Sequence, residues 1–80
     1  MNEEQKKRIA SMIVRYDHRE DRNFDAAISA KKDGNEYLER KFRHWARLNA
    51  TRVAVIEEML EILGYKAIWK DDDTVEIREA

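Results

Sequence analysis

The apolar positions of this chain fall into distinct patterns, and the longest of them organises the rest. Between Asn35 and Leu63, the residues Leu38, Phe42, Trp45, Ile56, Met59 and Leu63 keep a four-three rhythm interrupted at Asn49 and Arg52. Leu48, Val55 and Ile62 run beside them at seven-residue spacing, with Ala46, Val53 and Leu60 on the other flank. Wound at about 100° per residue, these rows cover more than half of a helix circumference after residue 45. The pattern predicts one long amphipathic helix. Asn35 caps it, Glu36–Arg40 and Glu39–Arg43 support it as i,i+4 pairs, and Gly64 stops it.

Upstream, Ile9, Met12, Ile13 and Tyr16 recur at i, i+3, i+4 and i+7, which predicts a first helix over residues 3–16. Asp17–Asn23 contains no apolar residue, and a solvated loop is expected there. Asn23 then caps a short second helix whose apolar stripe is Phe24, Ala27 and Ile28, closed by Asp33 and Gly34. Beyond Gly64 the period changes to two. Tyr65, Ala67 and Trp69 alternate with Lys66, Ile68 and Lys70, and Val75 and Ile77 alternate with Thr74, Glu76 and Arg78. A β-hairpin turning at Asp71–Asp73 follows, with Trp69 on the face expected to pack on the long helix. The expected fold class is α+β, mainly α: an N-terminal helix, a short helix, one long amphipathic helix and a C-terminal β-hairpin, in one domain over residues 1–80.

Those elements do not balance within one copy. A helix over residues 36–63 spans ~42 Å, whereas a compact chain of this size has a radius of gyration of ~12 Å. A first helix half as long cannot shelter so broad an apolar sector. Pairing of two copies through Leu38, Phe42, Trp45, Leu48, Val55, Ile56, Met59 and Ile62 would do so, and a homo-oligomer, most simply a twofold dimer, is expected. Asn49, polar in the middle of the seam, would fix its register.

Composition narrows the classes. Charged residues make up 41% of the chain, yet the net charge is −1. With 42% hydrophobic residues at helical spacing, a core forms and disorder is not expected. Residues 35–52 carry five basic and two acidic side chains, while residues 53–80 carry three basic and eight acidic. A basic middle and an acidic end suit contact with another copy or a protein partner. They argue against broad nucleic-acid binding, which favours net positive charge. The absence of cysteine excludes disulfides and thiolate zinc sites and fits a reducing compartment. No apolar run approaches the ~18 residues of a membrane span, so a cytoplasmic location without membrane contact is the expectation.

The densest candidate for binding is the stretch Arg40–Arg47, with Arg52 beyond it. It combines Arg40, Lys41, Arg43, Arg47 and Arg52 with His44, Phe42 and Trp45, and contains no acid. Guanidinium forks and aromatic faces together suit phosphates and bases. On the helix, however, Arg40, Arg43, His44 and Arg47 point away from the apolar sector that holds Phe42 and Trp45. Lys41, Asn49 and Arg52 border that sector, where a nucleotide, another anion or a carboxylate of a second copy would sit. Glu57, Glu58 and Glu61 crowd the end of the same helix with the wrong sign for its dipole. Asp71–Asp73 lacks the spacing of a calcium loop, and Asp17, His18, Glu20 and Asp21 lack that of a zinc site. No metal, cofactor or catalytic residue is expected, and a chain with two glycines holds no glycine-rich phosphate loop.

The sequence carries no family motif. In general look it is similar to accessory proteins of phages and mobile elements: tiny, cysteine-free, highly charged, and helix-rich with a terminal hairpin. The expected function is that of a non-enzymatic homo-oligomeric protein that docks on a partner protein as an inhibitor or adaptor. The alternative is sequestration of a small anionic or nucleotide ligand at the oligomer interface. Nucleic-acid binding through the basic stripe 40–52 stands third.

Overall fold

Asn2 opens the first helix with a reciprocal cap. Its side chain accepts from the Gln5 amide at 2.8 Å, while the Gln5 side chain accepts from the Asn2 amide at 2.9 Å. In the computed structural model, which describes all 80 residues, the helix so started, α1, runs unbroken over Glu3–Lys32. Gly34, at φ +74°, reverses the chain in the left-handed region that glycine adopts without strain. The Asn35 side chain then accepts from the Leu38 amide at 3.1 Å and starts α2, Glu36–Ile62. Gly64, at φ +85°, ends it and leads into β1, Tyr65–Asp71, and β2, Thr74–Glu79. The result is an antiparallel helical hairpin with a two-stranded antiparallel β-hairpin on it, β1 beside α2 and β2 beside α1.

The long helix and the terminal hairpin follow the sequence pattern, but the first half of the chain does not. Asp17–Asn23 is helical rather than a loop, Asn23 caps nothing, and the expected short helix is the C-terminal third of α1. The reason lies across the groove. His18 meets the turn of the β-hairpin, its Nε2 3.0 Å from the Asp72 carbonyl oxygen and 3.1 Å from the Asp73 carboxylate. A helix turn that packs on a polar turn has no use for apolar side chains, so the absence of hydrophobic residues there carries no information about helicity.

One core joins the layers. Ile13 is the largest side chain wholly removed from solvent, and it clusters with Ala10, Leu60, Val75 and Ile77. Ile9, Val14, Val53, Ile56, Tyr65 and Ala67 surround this cluster. The strand register places Ala67 opposite Ile77 and Trp69 opposite Val75, so the alternation of both strands delivers one apolar face to the helices. Trp69 remains partly exposed on that face. The register shifts at Lys70, between the Trp69 and Asp71 pairs, and the chain reverses at Asp72 and Asp73. Outside the cluster under the hairpin, the buried residues are Ala27, Ala30, Ala46 and the polar Asn49. The alanines let α1 and α2 approach closely without a large core.

The molecule measures 48 × 22 × 17 Å, with a radius of gyration of 15.0 Å. A compact chain of this length has ~12 Å. Only nine of 80 residues are buried, so the shape costs the chain much of its potential core. With 30 residues against 27, α1 matches α2 along its whole length, which corrects the expectation of a helix half as long. What stays uncovered is a face of α2, not an overhanging end. Of the residues expected at a contact between copies, Leu38, Phe42 and Ile56 are half-buried within the chain itself.

Candidate interaction surface

Two seams run along α2. The inner one, Phe42, Ala46, Asn49, Val53, Ile56 and Leu60, faces its own chain and is buried or half-buried. The outer one lies about a third of a turn round the helix and steps 4-3-4-3-4-3 through Lys41, Trp45, Leu48, Arg52, Val55, Met59 and Ile62. All seven are exposed. The apolar members remain 46% (Trp45), 38% (Leu48), 47% (Val55), 58% (Met59) and 79% (Ile62) open to solvent. This is the heptad spacing of a helix that packs along a second helix, and no element of the chain lies on it.

Asn49 is the polar member of the inner seam and is 3% exposed. Its amide nitrogen donates to the Trp45 carbonyl oxygen at 3.0 Å, and its oxygen accepts from an Arg52 Nη at 3.4 Å. Both polar ends are therefore used within α2, which removes the cost of burying them. Arg52 leans away from the outer seam, its guanidinium carbon 5.3 Å from the centre of the Tyr16 ring on α1. Arg15 and Arg19 also lie over that ring, at 5.6 and 5.7 Å. Tyr16 is the anchor that sequence reasoning assigned only to a core stripe. The arginines placed around it by α1 and α2 could not be found from either helix alone.

The basic stripe does not converge. Arg40, Lys41, His44 and Arg47 are exposed along α2, and Arg43 is tied to Glu39 at 3.2 Å. Of the cations with which the sequence groups Asn49, the structure keeps Arg52 on it, at 3.4 Å, and leaves Lys41 exposed about two turns away. Glu57, Glu58 and Glu61 stand exposed at the far end of the helix, where no basic residue occupies the last turn. Along one helix the surface changes from cationic to anionic.

A second apolar feature lies on α1, where Phe24 and Ile28 continue the row of Ala10, Val14, Asp17 and Asp21 beyond the end of the β-hairpin. Asp17, His18 and Asp21 face Trp69, Lys70, Asp71 and Asp72 across an open recess beside it. Partial burial raises the carboxyl of Asp17 above its ordinary value, and neighbouring Asp21 adds to the effect. Glu20 is raised in the same way, first by burial and then by Asp17. On the outer face of the β-hairpin the opposite holds. Arg78 at 3.0 Å and Lys70 at 2.9 Å hold the Glu76 carboxyl down to about 2.

No helix is long and apolar enough to cross a membrane. Compared with protein-family models, curated proteins and solved structures, the chain matches none.

Proposed function

We propose that this is a non-enzymatic docking protein that self-associates through α2 and holds a partner protein on its remaining surface. The observation that carries the reading is the outer seam: five large apolar side chains at heptad spacing, exposed on a chain that buries only nine residues. A surface of that kind rarely stays bare on a monomer. The recess where exposed Trp69, with Asp71 and Asp72, faces Asp17, His18 and Asp21 is the candidate for partner contact. Its acidic rim suits a cationic amphipathic segment of the partner, as expected of an inhibitor or adaptor.

Small-ligand sequestration has less support, because the Asn49 side chain is already committed to Trp45 and Arg52. Nucleic-acid binding is weakened by the lack of convergence among Arg40, Arg43 and Arg47. The testing experiment is thermal unfolding over a wide range of protein concentration, with and without added nucleotides. Self-association linked to folding makes the midpoint rise with protein concentration, and nucleotides leave it unchanged. A midpoint independent of concentration, or one raised by a nucleotide, would overturn the docking reading.

A further inference from the structure

The outer seam of α2 has a charge gradient that says how a second copy must lie on it. Its first half is flanked on the solvent side by Arg40, His44 and Arg47, its second half by Glu58 and Glu61, and Thr51 sits between them. The gradient also opposes the dipole of its own helix: acids crowd the C-terminal turns, where cations are favoured. Within the chain none of Glu57, Glu58 or Glu61 has a basic partner in an ion pair.

We infer that two copies pair along this seam antiparallel, about a twofold axis close to Arg52, with the basic half of each α2 against the acidic half of the other. The inference rests on the self-association proposed above and adds its orientation. The stripe is nearly symmetric about that point, so antiparallel pairing sets Leu48 against Val55, Trp45 against Met59 and Lys41 against Ile62 of the second copy. A thioether on an indole is a favourable contact. On the open flank, His44 and Arg47 then approach Glu58 and Glu61 of the other copy, and Thr51 approaches its own counterpart. A parallel pair would instead stack cations on cations and acids on acids, with the two dipoles aligned, which is unfavourable on both counts. Within the seam itself, Arg52 is the residue brought near its own counterpart. Its guanidinium lies over Tyr16, which keeps the two like charges off the axis. The pairing makes a four-helix arrangement with α2 and its copy at the centre and both β-hairpins outside.

The chain has no cysteine, so single cysteines report orientation without background. Thr51→Cys, His44→Cys and Glu58→Cys are placed at exposed positions and treated with a short bis-maleimide, singly and as a His44→Cys plus Glu58→Cys mixture. Antiparallel pairing predicts cross-linked dimer for Thr51→Cys alone and for the mixture, but little for His44→Cys or Glu58→Cys alone. Self-linking of all three single variants would overturn the orientation while leaving self-association standing. No cross-link with a dimeric mass would mean another face is used, which also overturns the inference. No cross-link with a monomeric mass would overturn the self-association proposal itself. As a second measurement, Glu58→Lys/Glu61→Lys is expected to raise the dimer Kd about tenfold. Adding Arg40→Glu/Arg47→Glu to the same chain restores it; failure of the exchange to restore affinity would count against opposed charge halves.

Discussion

The guanidinium carbon of Arg52 lies 5.3 Å from the centre of the Tyr16 ring, which fastens the middle of α2 to the middle of α1. The contact lies next to Asn49, whose oxygen accepts from the same arginine, so one side chain closes the inner seam and bounds the outer one. Arg52→Ala should therefore destabilise the fold by about 0.5–1 kcal/mol, the range of an exposed cation–π contact. Tyr16→Leu, which keeps an apolar body without the π face, should remove a similar amount, and the two losses should not add. A double-mutant cycle in urea checks this; full additivity would show that the pair does not interact.

Ile13 is the large side chain of the small core with no exposure to solvent. Because it is wholly buried among Ala10, Leu60, Val75 and Ile77, Ile13→Ala should cost about 3 kcal/mol. That loss is large for a chain with few buried residues, and the β-hairpin should detach before the helices melt. Near-ultraviolet dichroism of a Trp45→Phe chain, in which Trp69 is the single tryptophan, against far-ultraviolet helix content follows the two events separately. A loss below about 0.5 kcal/mol, typical of surface positions, would place the core elsewhere.

His18 faces two acceptors with a single nitrogen. The Asp72 carbonyl oxygen and the Asp73 carboxylate both lie near Nε2, so that atom carries the proton and donates. His18→Ala should cost about 0.5–1 kcal/mol and should speed amide exchange in the hairpin turn more than in α2. Exchange that rises equally throughout the chain would instead indicate a general loss of stability.

Acid should act on the two faces of the molecule with opposite signs. Glu76 is held at about 2, below its ordinary 4.5, by hydrogen bonds from Arg78 and Lys70. Its contribution is complete above 4.5 and is lost as pH falls toward about 2. Asp17 and Glu20 are raised above 3.8 and 4.5, mainly by burial, so their ionised forms oppose folding. Their contribution is present below those values and is lost as pH rises through the raised ones. Glu76→Gln should flatten the acid limb of a stability profile. Asp17→Asn should add slightly to stability at neutral pH, an effect that solvent screening keeps small, and urea unfolding from acid to neutral pH measures both.

The second half of the fold could be read from the sequence because its patterns are unmixed. Asn35 and Gly64 bound α2 as their chemistry dictates, and the alternation of Tyr65–Trp69 and Val75–Ile77 matches the observed register. The first half could not, because a helix turn docked on Asp72 and Asp73 has the composition of a loop. Leu38, Phe42, Trp45, Leu48, Val55, Ile56, Met59 and Ile62 looked like one broad sector from sequence. The fold divides them into an inner seam and an outer one, since α1 reaches along the full length of α2. Counting Lys41 and Arg52 as members of a heptad row, rather than as the border of the apolar sector, makes that division visible.

Light scattering on the purified chain and on Val55→Glu/Met59→Glu tests most directly whether a second copy covers α2. The wild-type chain should show twice its 9.6 kDa at micromolar concentration, and the variant should fall to 9.6 kDa while keeping its helix content. A wild-type mass of 9.6 kDa at every concentration reached, or a variant that still pairs, would contradict it.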